Sequence, residues 1–152
     1  MIIDRLGGNM GTLVSDSQTF ELRFRLYRVS QETKPKWITV EFAPKVRGQG
    51  KRSTVYTLTD SDVTQFMTSL SQLITGKRRR AIMTNMDEDL IIVVYPEERV
   101  EDKYVVELWY GEPFVLMHGY RFIVVKNSMT AFVQDLKDEK ERLLIAHARG
   151  EV

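Results

Sequence analysis

The chain has 152 residues, 43% of them hydrophobic and 28% charged, and a formal net charge of +1. That length carries one core that buries roughly two-thirds of the unfolded surface, so a single domain over residues 1–152 is expected, and the composition excludes a disordered chain. With no cysteine, disulfides, thiolate metal sites and a cysteine nucleophile are excluded.

Residues Met1 to Val14 hold Gly7, Gly8 and Gly11 and lack a basic start followed by a long apolar run. No segment approaches the roughly 20 apolar residues that span a bilayer, so a cytoplasmic location with no membrane partner is expected. A short strand is read at Thr12 to Val14. From there Phe20, Leu22, Phe24 and Leu26 alternate with Glu21, Arg23, Arg25 and Tyr27, the period-two signature of a half-buried strand. The polar run Gln31 to Lys36, with Pro35, makes a hairpin loop, and Trp37 to Ala43 resumes the alternation through Ile38, Val40 and Phe42. Pro44 to Ser53 reads as a loop, with Gly48 and Gly50 set among four basic residues. The β-branched and aromatic Thr54 to Leu58 is a third strand.

Thr59 or Asp60 can cap a helix, because a short oxygen side chain accepts an N–H that the first turn leaves unpaired. Val63, Phe66, Met67, Leu70, Leu73 and Ile74 then line one helical face, and Gly76 stops it. The predicted helix covers about 60–75. The second half repeats the plan: strands at Ala81 to Asn85, Leu90 to Tyr95, Tyr104 to Tyr110 and Gly119 to Lys126, then a helix over about 128–146 capped by Asn127 or Ser128. Leu90 to Tyr95 is continuously apolar, fit for a central strand. The fold class is therefore α+β: two strands-then-helix units, about 12–76 and 77–146, with antiparallel sheets and two amphipathic helices.

The residues offer no catalytic constellation. His118 and His147 are isolated, and Asp87, Glu88 and Asp89 form an acidic turn without the glycine and distal glutamate of a calcium loop. Gly48, Gly50, Lys51 and Arg52 fail the phosphate-loop spacing and precede a strand. No enzyme, metal or cofactor is expected.

Charge is distributed unevenly. Residues 1–81 hold 14 Lys+Arg against 7 Asp+Glu, a balance of +7, and residues 82–152 hold 8 against 14, a balance of −6. The basic residues lie in loops: Lys45, Arg47, Lys51 and Arg52 before the third strand, and Lys77, Arg78, Arg79 and Arg80 after the first helix. Arg23 and Arg25 interleave with Tyr27 and Trp37 on the outward face of the first strands, and Tyr56 is expected to join them. Basic loops neutralise phosphates while rings stack unpaired bases, which points to single-stranded DNA or RNA as the partner.

Strands followed by a helix, given twice over Phe20 to Leu144 with the basic loops Lys45 to Ser53 and Lys77 to Arg80, resemble the duplicated unit of the Whirly, Pur and transcriptional-coactivator group of single-stranded nucleic-acid-binding proteins. The resemblance implies four strands per unit, so Thr12 to Val14 would supply the first. The layout is also similar to that of small bacterial immunity or inhibitor proteins. On that alternative, Glu97, Glu98, Glu101, Asp102, Glu107 and Glu112 would meet a protein partner with a basic surface. Edge strands leave a homo-oligomer open.

Overall fold

The computed structural model describes residues 11–29, 37–50, 54–85, 88–112 and 116–150. The first sheet is built from β1 (Gly11–Val14), β2 (Phe20–Val29), β3 (Trp37–Val46), β4 (Gln49–Gly50) and β5 (Thr54–Thr59). Helix α1 (Asp60–Ile74) follows. The second sheet runs in simple order β6 (Ala81–Thr84), β7 (Leu90–Pro96), β8 (Lys103–Glu112), β9 (Leu116–Val125), and α2 (Lys126–Ala148) comes last. All pairings are antiparallel and the fold is α+β.

β1 fills the fourth strand position of the first unit, pairing Leu13 with Leu22. The stretch Pro44 to Ser53 is not the continuous loop that its glycines and charges predict. β3 runs on through Pro44 and Lys45 to Val46, and Arg47 and Gly48, both at positive φ (51° and 79°), turn it into β4. Two left-handed residues give the twist that a two-residue hairpin requires. On the other side of β3, Pro44 lies opposite Leu22 of β2. Lys51, Arg52 and Ser53 lie outside the described residues, as do Asp87 and the Gln31–Lys36 loop.

Both ends of α1 follow from its sequence. Thr59 Oγ1 accepts from the Asp62 N–H (3.0 Å) while Asp62 Oδ2 accepts from the Thr59 N–H (3.1 Å), a reciprocal capping box. At the other end Gly76, at φ 79°, lets the Lys77 N–H reach Gln72 O (2.8 Å) and its own N–H reach Leu73 O (3.2 Å). The start of α2 differs from expectation. The helix begins at Lys126 with Val125 as its cap and no side-chain cap bond, so Asn127 and Ser128 already lie within the first turn. Strand pairing replaces the side-chain cap: Val125 still faces Lys103, and the Lys126 N–H donates to Asp102 O (2.8 Å).

The helices cross over between halves. α1 packs chiefly on β6, the first strand of the other unit, and α2 lies across β1 and β2, with Phe132 edge-on to Phe24 (centroids 6.2 Å apart). Phe20 stacks on Phe122 at 4.3 Å, the Asp16 N–H donates to Ile123 O (2.8 Å), and Lys140 Nζ meets Asp60 Oδ1 (2.7 Å) between the helices. One hydrophobic cluster therefore runs through both units, from Leu13 and Phe24 to Leu90, Leu108 and Leu136. The helices pack on the inner faces, while Arg23 on the outer face of the first sheet and Ile82, Trp109 and Arg121 on that of the second are exposed. Among the described residues no helix is long and apolar enough to cross a membrane.

Candidate nucleic-acid interface

Register fixes what each outer face displays, since directly opposed residues share a face. On the first sheet Thr12, Arg23 and Ala43 form one row and Val14, Glu21 and Lys45 the next. Arg23 is exposed, and its Nε lies 3.2 Å from Glu21 Oε1. Glu21 thus stands beside Arg23 and opposite Lys45, and Arg25 is opposite Glu41. The face is a checkerboard of charge rather than a cationic field. Of Arg25, Tyr27 and Trp37 the backbone positions are described, Trp37 opposite Thr59 at the far end of β3.

Tyr56 does not join this face. It lies opposite Val40, in the same row set as Ile38 and Leu58, and is 5% exposed within the core. The period-two count places it correctly only once the register against β3 is known, because β5 alone reads equally well with either face inward. Its phenol neighbours Tyr110, whose own pKa is pushed up by burial first and then by its hydrogen bond with Tyr120.

The basic loops are separate from each other along the chain's path. Arg47 stands on the β3–β4 turn, and Lys77, Arg78, Arg79 and Arg80, all exposed, lead from α1 into β6, the edge strand of the second sheet. Arg78 Nε donates to Gln72 Oε1 (3.0 Å). Among the described residues Lys45, Arg47 and Lys77 to Arg80 form no ion pair; in the second half Lys103, Arg121, Lys126 and Lys140 are each held by an acid, while Arg99, Lys137 and Arg149 are not.

The sequence reading missed the outer face of the second sheet. Its rows are Ile82, Val93, Glu107 and Arg121, and then Thr84, Ile91, Trp109 and Gly119. Trp109 is 46% exposed and Ile82 equally so. The signal was available: if Leu108 and Tyr110 face inward, Trp109 must face out. Toward one end, Tyr95 Oη donates to Glu107 Oε1 (3.1 Å), and Arg121 Nε lies 3.9 Å from the same oxygen. The hydrogen bond with Tyr95, more than the nearby Glu107 and Glu97, holds the guanidinium above its ordinary pKa. Glu98, Glu101 and Asp102 are exposed on the β7–β8 hairpin, and among the described residues no cluster could hold a metal ion.

No family model and no curated protein sequence matches the chain. Solved structures do. The plant transcriptional regulator PBF-2 superposes with a TM-score of 0.54 at 15% identity, over 93% of this chain and 85% of its own. MRP1/MRP2 of Trypanosoma brucei superpose with a TM-score of 0.55 at 9% identity, over 96% of this chain and 90% of theirs. At such identities the shared property is the fold, and it agrees with the element order from which the Whirly resemblance was read.

Proposed function

We propose that this protein binds single-stranded nucleic acid and performs no chemistry on it. The observation that carries the reading is the grouping of exposed cations that form no ion pair among the described residues: Arg47 on the β3–β4 turn and the consecutive Lys77, Arg78, Arg79 and Arg80 at the start of the second sheet, whereas Arg99, Lys137 and Arg149, also without an ion pair, stand singly. Such cations exchange counterions for phosphates, and that exchange drives association with a polyanion. Lys45, Lys51 and Arg52 belong to the same basic segment of sequence. The likeness in fold to a transcriptional regulator supports the same reading. The preference for unpaired strands rests on the exposed Ile82 and Trp109 of the second sheet, which offer bases a surface on which to stack.

Competition between a labelled single strand and unlabelled duplex of the same length tests this. The single strand should be displaced far better by itself than by duplex; equal displacement would remove the single-strand assignment. A second reading, a protein inhibitor with an acidic surface, draws on the exposed Glu98, Glu101 and Asp102. It requires that no oligonucleotide bind even at low salt.

A further inference from the structure

We propose that Trp109, laid on Gly119 at the centre of the second sheet's outer face, is a stacking platform for an unpaired nucleobase. The inference deepens the nucleic-acid reading and rests on it.

Trp109 and Gly119 are directly opposed on β8 and β9. A Cβ added to Gly119 would lie 2.4 Å from Cζ3 of the indole, 2.7 Å from Cε3 and 3.0 Å from Cη2. Those small increments on both sides of Cζ3 fit a ring lying across the glycine backbone rather than standing on its edge. Only a residue without a side chain permits this close approach. One face of the indole is thus pressed to the sheet and the other is open, consistent with an exposure of 46%. A large apolar ring left flat on an uncovered sheet exposes area that burial would otherwise remove from water, and an aromatic base is the planar partner that recovers it.

The surroundings favour a nucleic acid as that partner. Ile91, opposite Trp109 on β7, and Ile82 on β6 extend the apolar floor toward the edge strand. Cations lie on both edge strands toward the Glu107 end of this face: Arg121, two residues beyond Gly119 on β9 and shared with Glu107, and Lys77 to Arg80, which lead into β6 at Ala81, opposite Val94. Apolar centre and cationic margins match a strand whose bases turn inward and whose phosphates run outside. Glu107, central on this face, is engaged by the Tyr95 hydroxyl and Arg121, so its charge is partly answered within the protein.

The test compares a dT oligonucleotide with an abasic oligonucleotide of equal length, binding to wild type, Trp109→Ala, Trp109→Phe and Gly119→Ala, with sedimentation measured in parallel. Loss of one stack should weaken dT binding by Trp109→Ala about 5- to 150-fold, with abasic binding and the salt slope unchanged. Phe should retain part of the affinity. Gly119→Ala keeps the indole but lifts it from the sheet, and should fall between wild type and Trp109→Ala. Wild type should prefer dT to the abasic strand, a comparison that needs no variant to fold. Equal dT affinity of wild type and Trp109→Ala overturns the platform while leaving the nucleic-acid reading intact. Affinity lost only together with a fall in sedimenting mass overturns it in favour of a second copy of this chain on that face. A wild type that binds neither oligonucleotide at low salt overturns both readings.

Discussion

Glu139 is the residue through which α2 reaches into the first sheet. It is 4% exposed, and its Oε1 accepts from the Leu26 N–H at 2.6 Å. That amide points to the β1 side of β2, one step past the last described β1–β2 pair, Gly11 with Phe24, and a carboxylate from another element supplies its acceptor. A buried N–H without a partner costs about 1–3 kcal/mol. Glu139→Ala should therefore lower unfolding stability by at least that order in urea titration, and Glu139→Gln, which keeps an acceptor oxygen, should cost less; equal losses would contradict the account. Glu139's burial is not legible in sequence, because a glutamate among Asp138, Lys140 and Glu141 reads as polar helix surface. Tyr56 failed for the same kind of reason: its face depends on a partner strand.

At the scale of elements, strands and helices were legible where periodicity was strong, and their ends were legible where a local side chain decides them. α1 shows this: Thr59, Asp62 and Gly76 act within four residues of themselves. Thr59→Ala should cost about 0.5–2 kcal/mol, the usual worth of such a cap. Ser128→Ala should leave stability within about 0.5 kcal/mol, because no side chain caps α2; comparable losses in the two variants would mean the α2 start is misassigned. The α2 boundary was illegible since a carbonyl of the β7–β8 turn, Asp102 O, takes the place of the cap. Asp135 on α2 adds a pH dependence. Burial first, and then Asp138, raises its pKa in the fold. A carboxyl that holds its proton more tightly when folded favours the fold below its unfolded pKa, and that contribution is lost as pH rises through the folded value. Asp135→Asn should accordingly raise the urea midpoint at neutral pH, with the gain disappearing below the ordinary aspartate value of 3.8. A gain independent of pH would point to packing instead.

At the scale of the whole molecule, the two-unit plan and the contrast in charge between halves could be read from the chain, because both are sums over many residues. The crossing of the helices between units could not, since either amphipathic face fits either sheet until Phe132 meets Phe24 and Lys140 meets Asp60. Of the candidate site residues, Arg23, Arg47 and Lys77 to Arg80 are exposed and Lys45 is half-buried, whereas Tyr56 lies in the core and the exposed ring of the second sheet is Trp109. On the proposed function, phosphates meet the basic segment that enters the second sheet. That contact is tested most directly by the salt dependence of single-strand binding in wild type and in a variant with Lys77, Arg79 and Arg80 changed to Gln. Each phosphate contact contributes about 0.7 to the slope of log affinity against log salt for single strands, so the variant's slope should be shallower by roughly 2. A wild type that does not bind at about 50 mM salt, or a slope that is the same in both proteins, would contradict it.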